Sequence, residues 1–405
     1  MRILVQKFGG TSLSTAQARE HVIKHIRQAL QQQMRVVVVV SAMGRKGEPY
    51  ATDTLLELIK DNGNRLPARE RDMLLCCGET ISAAVLCSLL NESGIPSSVL
   101  SGYQAGILTN GQFGNAQILS IQPNRIIELL ELDRVVIVTG FQGVTAENDL
   151  TTLGRGGSDT SATALGAALK AELVDIFTDV DGILTADPRI VSEAKPLPRV
   201  TYAEICNMAH NGAKVIHPRA VEIAMHANIP VRVRSTFSEG SGTWVSAPPP
   251  HKGDSKPLVD RYVTGIAHVA DVTQIQVINY ERQYDLQLNV FKAMAQQQIS
   301  VDFINVNPSG VVYTVFDFEA QRAVETLKTL GYEPQAISGC AKVSIIGGGI
   351  NGVPGIMASI VEALTEEDVS ILQSADSNTT IWVLVRGEDL VKSVRILHNK
   401  FQLHI

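Results

Sequence analysis

The sequence predicts an α/β domain with a mostly parallel sheet over residues 1–245, a linker over 246–260, and two α+β modules of βαββαβ form over 261–340 and 341–405. Three observations carry that reading. Apolar runs such as Ile3-Leu4-Val5 and the five residues from Val36 to Val40 are continuous rather than alternating, and helical periodicities separate them. Continuous β-branched runs suit central strands covered on both faces, and alternation with helices suits a parallel sheet. The stretch from Ser246 to Pro257 is proline, glycine and charge without apolar period, the composition of a linker. Beyond it, residues 290–315 and 360–385 match at an offset of 70. Phe291 aligns with Val361, Ile299 with Val369, Ser300 with Ser370, Val301 with Ile371, Val311 with Ile381, Val312 with Trp382 and Val315 with Val385.

Taken in order, a strand at 3–5 is followed by a helix over 14–33, with Ala18, Val22, Ile26, Ala29 and Leu30 on one face. After the strand at 36–40 come helices around 54–60 and 70–92, a buried strand at 134–139, a helix of small residues at 158–171 and a strand at 174–178. Thr201 and Glu204 form a capping-box pattern ahead of 205–208. Residues 218–227 read as a helix and 231–233 as a strand. In the repeat each copy reads helix, short strand, turn, strand and second helix (321–330 and 390–400), with strands 273–278 and 342–346 ahead. Such pairs suit ligand sensing, and they carry almost no acid–base chemistry.

The chain has 405 residues, 45% hydrophobic and 19% charged, with a net charge of −6. No basic run is interleaved with aromatics, which argues against nucleic acid as a main partner. The longest pure aliphatic run, five residues, is too short to span a bilayer, so no membrane partner is expected. The five cysteines, Cys76, Cys77, Cys87, Cys206 and Cys340, form no CxxC and cannot all pair. Reduced thiols in a cytoplasmic protein are expected.

Lys7-Phe8-Gly9-Gly10-Thr11-Ser12 lies between a strand and a helix. Glycines that let backbone N–H groups approach, a helix N-terminus and a lysine make a phosphate cradle. The plainer alternative is a glycine turn before a helix capped by Ser14 with Gln17 as reciprocal residue. Gly154-Arg155-Gly156-Gly157-Ser158-Asp159 repeats the anion-binding logic. Arg155 offers a bidentate fork to a carboxylate or phosphate, and Asp159 could hold Lys7 or a metal; the alternative is a flexible loop with Ser158 as N-cap. Ser41 follows the central strand, where ligands of open α/β sheets gather. Glu79 reads near a helix start in apolar company, where a solvated glutamate is the usual case. Thr178 and Asp179 close another strand, and Asp181-Gly182 is a candidate hairpin turn. Lys214 is a second phosphate lysine or a surface charge.

Some patterns fail on their own terms. A calcium loop at Asp179–Gly182 has its glycine too early and no twelfth-position glutamate. Gly347-Gly348-Gly349-Ile350-Asn351-Gly352 matches GxGxxG, but too few residues remain for a dinucleotide domain. His21 and His25 share zinc spacing without a third ligand, and a solvated face is expected instead.

Lys7 through Ser12, Gly154 through Asp159, Phe177-Thr178-Asp179-Val180-Asp181-Gly182, Thr185-Ala186-Asp187-Pro188-Arg189 and the paired C-terminal modules together resemble the monofunctional aspartokinases. The resemblance spans essentially the whole chain. It implies an amino-acid-kinase domain followed by two ACT domains, and transfer of the ATP γ-phosphoryl group to the β-carboxylate of L-aspartate. That is the first step toward lysine, diaminopimelate, threonine and methionine. By the same resemblance, Lys7, Phe8, Gly9, Gly10, Thr11 and Ser12 serve the phosphates, with Lys7, Arg155 and Asp159 catalytic. Ser41, Thr52, Glu79, Arg155 and Gly156 hold aspartate, Glu79 taking its ammonium. Thr178, Asp179, Asp187, Arg189 and Lys214 surround the nucleotide. Mg2+ rides chiefly on ATP oxygens, with no protein metal site. Residues 41–53 and 371–380 look most like the meso-diaminopimelate-inhibited isozyme. An effector site at Asn351, Gly352, Val353, Pro354, Gln373 and Asp376 is implied, and since ACT modules commonly pair across a two-fold, a homodimer through them is expected.

Overall fold

The computed structural model describes residues 1–60, 66–213, 215–247, 262–278, 285–350 and 352–405. Lys214, Asn351 and most of the expected linker lie outside the described residues. The chain forms two compact units, one of Met1–Ile183, Pro196–Ala209 and Lys214–Ser255, the other of Leu184–Lys195, His210–Ala213 and Lys256–Ile405.

The first unit runs β1 (Ile3–Phe8), α1 (Gly10–Leu13), α2 (Ala16–Gln31), β2 (Arg35–Val40), α3 (Thr52–Lys60), α4 (Ala68–Glu92), β3 (Ser97–Leu100), β4 (Ile107–Thr109) and β5 (Ile118–Ile121). It continues α5 (Asn124–Glu131), β6 (Val135–Thr139), β7 (Gln142–Val144), β8 (Leu150–Thr152), α6 (Gly157–Leu169) and β9 (Leu173–Thr178). Then come β10 (Arg199–Thr201), α7 (Tyr202–His210), α8 (Pro218–Ala227), β11 (Val231–Ser235) and β12 (Thr243–Ser246). The main sheet has the order β10-β12-β11-β9-β1-β2-β6-β3, and a smaller one the order β5-β4-β7-β8. In the main sheet only the β11–β12 pair is antiparallel. Val36 through Val40 are all buried, as a strand covered on both faces requires. Strand β1 is where the order reverses, β2 and β6 lying to one side and β9 and β11 to the other. A crevice at the carboxyl ends of strands at such a point is the usual ligand site of an open α/β sheet.

Several local expectations change. Helix α2 is capped by Thr15, whose Oγ1 accepts from Ala18 N at 3.1 Å, and not by Ser14, whose hydroxyl donates to Thr11 O. The short α1 consumes the residues that were to precede the cap. Asp181-Gly182 makes no hairpin, because β9 is held in parallel by both β1 and β11. Ser158 caps nothing: α6 begins at Gly157, and Ser158 is inside it. His25 is not on a solvated face. Its Nε2 lies 2.9 Å from Thr236 O and its ring packs on Phe177, and burial lowers its pKa. The reciprocal cap of α7 does form, with Glu204 Oε2 accepting from Thr201 N at 2.8 Å and Thr201 Oγ1 from Glu204 N at 3.2 Å. Helix α4 is long and apolar enough by composition to cross a bilayer, yet it carries buried Asp72 and Glu79 and packs on β3, β6 and β8 as a core helix.

The second unit contains β13 (Gly265–Ile278), α9 (Leu286–Gln296), β14 (Asp302–Asn307), β15 (Gly310–Phe316), α10 (Asp317–Thr329), β16 (Gln335–Ile346), α11 (Ile356–Thr365), β17 (Gln373–Asp376), β18 (Thr380–Arg386) and α12 (Leu390–Lys400). Its strands join in one sheet, β14-β15-β13-β16-β18-β17. The repeat is structural: β15 and β18, 70 residues apart, share the same alternation, with only the third residue half-buried and the last exposed. Strand β13 changes role at the irregularity between Val269 and Val272. Its first half pairs with residues 342–346 and its second half with β15 and residues 335–340. Each repeat therefore borrows its outer strand from the chain of the other.

Candidate active site

A cavity of about 560 Å³ opens in the first unit at the carboxyl ends of β1 and β2. Lys7, near the end of β1, points into it, and Nζ lies 2.8 Å from Asp159 Oδ1 in the first turn of α6. The two side chains are 13% and 11% exposed, so this is a nearly buried ion pair with the ammonium open to the cavity. The other carboxylate oxygen of Asp159 accepts from His217 N at 3.3 Å. Gly10 packs against the loop after β2 so closely that a Cβ would stand 2.6 Å from both Ala42 O and Gly44 O.

Phe8 and Ser12 do not reach this space. Phe8 is fully buried and stacks on Phe177 at 4.5 Å, while Ser12, also fully buried, shares a 2.7 Å hydrogen bond with the Thr236 hydroxyl. They brace the cradle from behind. Gly9 and Thr11 shape the turn without lining the cavity.

Glu79 lies in the middle of α4, not near its start, and is 2% exposed. One oxygen accepts from Ala42 N at 3.1 Å, and the other is buried without a partner. Burial pushes its pKa up to about 8, against the lowering effect of the hydrogen bonds. Ser41, Thr52 and Asp53 line the same wall.

Arg155 lies at the exposed edge of the cavity, in a loop held from two sides. Buried Asp72 accepts from Thr152 N at 2.7 Å, Thr152 Oγ1 at 3.0 Å and Gly114 N at 2.8 Å. Arg219, at the start of α8, donates to Leu153 O at 3.0 Å and Ala116 O at 2.9 Å, and burial lowers its pKa. Gly156 is left-handed (φ 66°), and a Cβ there would fall 2.2 Å from His217 Cβ.

Thr178 and Asp179 stay outside the cavity lining; Asp179 pairs at 2.5 Å with Arg45, which does line it. Asp187 and Arg189 belong to the second unit, where Arg189 forks onto Asp187 at 2.6–3.2 Å and holds that carboxyl below its usual range. Gln373 is already engaged: its amide donates to Phe303 O at 2.6 Å and accepts from Gln274 at 2.9 Å, so it is not an open effector contact. Gly352, Val353 and Pro354 form the loop entering α11, and Asp376 is exposed at the end of β17. Arg45, Lys46, Arg71, Asp72, His217 and Arg219 escaped sequence reasoning. The helical spacing of Arg71 and Glu79 was the one available signal.

The cavity thus gathers five cations, Lys7, Arg45, Lys46, Arg71 and Arg155, against three carboxylates. Among the described residues no three His, Cys, Asp or Glu side chains cluster as a metal site.

The amino acid kinase family model matches residues 2–235, and an ACT domain model matches 335–399. The chain is 54% identical over 403 residues to aspartokinase 1 of Bacillus subtilis (strain 168), covering 100% of both. It is 40% identical over 409 residues to an aspartokinase of Geobacillus stearothermophilus, covering 100% of this chain and 98% of that one. Among solved structures it resembles E. coli aspartokinase III in complex with aspartate and ADP (R-state), with TM-score 0.78 and 26% identity over 98% of this chain and 99% of that one. The lysine and aspartate complex of aspartokinase III (T-state) matches at TM-score 0.76 and 26% identity, over 99% and 100% of the two chains.

Proposed function

The chain belongs to the aspartokinase family, and we propose that its cavity carries the γ-phosphoryl group of ATP to the β-carboxylate of L-aspartate. The observation that carries this is the union in one space of the Lys7–Asp159 pair, the unpartnered oxygen of Glu79 and the Arg155 loop. A carboxylate is nucleophilic at neutral pH, so no general base is required. The obstacle is repulsion between that carboxylate and a polyanion, which positioned cations and N–H donors relieve. Lys7, oriented by Asp159, neutralises the phosphoryl group in flight. Glu79 takes the substrate ammonium, Arg155 its α-carboxylate, and Ser41 and Thr52 the reacting carboxylate. Mg2+, held chiefly through ATP oxygens, would supply further charge neutralisation there. ADP release should require both L-aspartate and Mg2+ in a coupled assay, and release that ignores aspartate would reject the reading.

Feedback control is read from the second unit. The likeness of residues 41–53 and 371–380 to the diaminopimelate-inhibited isozyme favours meso-diaminopimelate, with exposed Asp376 and the 352–354 loop as its contacts. A cytoplasmic homodimer joined through the ACT modules completes the proposal. Inhibition by meso-diaminopimelate is expected in a panel with L-lysine and L-threonine, singly and paired; inhibition by lysine alone would reject the assignment.

The Arg155 loop has its own test. Gly156→Ala adds a clash with His217 to a left-handed strain of about 1–3 kcal/mol, and should raise the KM for aspartate at least ~10-fold. Gly94→Ala is the control: its φ is 74° but nothing lies within 4 Å, so only the strain remains and the kinetics should hold.

A further inference from the structure

The geometry points to Arg71 as a second arginine of the acceptor site, donating to the α-carboxylate of the amino acid together with Arg155. This inference rests on reading the cavity as the aspartate site. Helix α4 carries Arg71, Leu75 and Glu79 at i, i+4 and i+8, the spacing of one helical face, and all three line the cavity. One face thus presents a cation, an apolar spacer and a carboxylate in line.

Arg71 reaches the backbone joint that carries Arg155. Its Nη2 lies 2.9 Å from where a Cβ on Gly114 would stand, and Gly114 O lies 3.2 Å from the same position on Gly154. The two arginines therefore flank one piece of packed backbone. Two acids adjoin Arg71 in sequence: Asp72 fastens that joint through Gly114 N and Thr152, spent on backbone and hydroxyl donors, and Glu70 pairs with Arg69 at 2.9 Å. Among the described residues Arg71 makes no side-chain hydrogen bond and no ion pair, whereas Arg2, Arg35, Arg69 and Arg125 on the same unit all pair with acids.

A guanidinium left without an acid in the wall of a polar cavity keeps its planar fork of donors free for a carboxylate or phosphate of the ligand. Two anions enter this space, phosphate and carboxylate. The phosphate-binding features, Lys7 and Gly10, stand on β1 and α1, whereas Arg71 shares its helix face with the ammonium-binding Glu79. Two turns of helix, about 12 Å, separate Arg71 from Glu79, a span for the two side chains with one amino acid between them. Since an ammonium and an α-carboxylate share one carbon of the substrate, Arg71 is assigned to the carboxylate.

The test pairs a residue with a substrate group. Arg71→Ala should raise the KM for L-aspartate about 10- to 100-fold, the range of a charged hydrogen bond, with a far smaller effect on kcat and on the KM for ATP. Arg71→Lys should recover part of the loss. With the α-carboxamide of aspartate, measured as acceptor or as competitive inhibitor, Arg71→Ala should add little further penalty, because the group it recognises is gone. Thermal unfolding of both variants should match that of the unaltered enzyme, so that the KM changes are read on a kept fold. Equal penalties on the acid and the amide, or a loss confined to ATP, would overturn the assignment of Arg71 while leaving the aspartate site standing. Failure of the unaltered enzyme to phosphorylate aspartate would instead reject the site reading itself.

Discussion

Lys7→Ala should lower kcat by a few hundredfold or more, the ~3–4 kcal/mol that one preorganised charge contact to a transition state commonly supplies. The variant also leaves Asp159, 11% exposed, without its cation, and an uncompensated buried charge is destabilising. Loss of turnover and loss of stability must therefore be separated. Lys7→Ala combined with Asp159→Asn removes both charges at once, so its thermal unfolding should return toward that of the unaltered enzyme. Its turnover should not. Single-turnover phosphoryl transfer measured on both variants gives the comparison, and near-normal turnover in either one would refute the role of Lys7. Recovery of activity along with stability would reduce the pair to scaffolding.

Glu79 should impose a pH dependence on aspartate affinity. Its pKa of about 8, raised by burial, means the carboxyl is mostly protonated at neutral pH. Binding an ammonium requires the carboxylate, so the proton must leave as aspartate binds. The sign follows from linkage: the KM for aspartate should fall as pH rises, by up to ~10-fold per unit below pH 8, and level off above it. Once the ammonium is in place the carboxylate is favoured, so kcat should vary much less over that range. Glu79→Gln removes the titration and should leave a high, flat KM, since its amide cannot offset the ammonium charge. A KM that is flat from pH 6 to 8 in the unaltered enzyme would refute the role given to Glu79.

Legibility differed with the kind of signal. The five-valine run of β2, the 70-residue repeat and the strand–glycine–helix transitions at Gly9-Gly10 and Gly154–Gly157 could all be read from the chain, because each is local chemistry. Glu79 could be suspected but not weighed. An apolar neighbourhood in sequence does not say that one oxygen finds Ala42 N and the other finds nothing. Arg71 and Asp72 sit in an unremarkable run of charge at the start of α4. Their roles appear only when residues 114 and 152 are folded against them. Phe8, Ser12 and Gln373 were overread for the opposite reason: motif membership was legible, but the direction of the side chain was not.

By itself the sequence determined the alternation of strands and helices, the duplicated C-terminal modules and the placing of glycines, lysine and arginine at strand ends. Those follow from periodicity and from which residues a turn or phosphate loop tolerates. Only the tertiary structure decided that Lys7 meets Asp159 across 152 positions of chain, that Glu79 is buried enough to hold its proton, and that β13 serves both modules. Desolvation, ion pairing and strand exchange depend on which distant groups are brought within a few ångströms, and packing is what sets those distances.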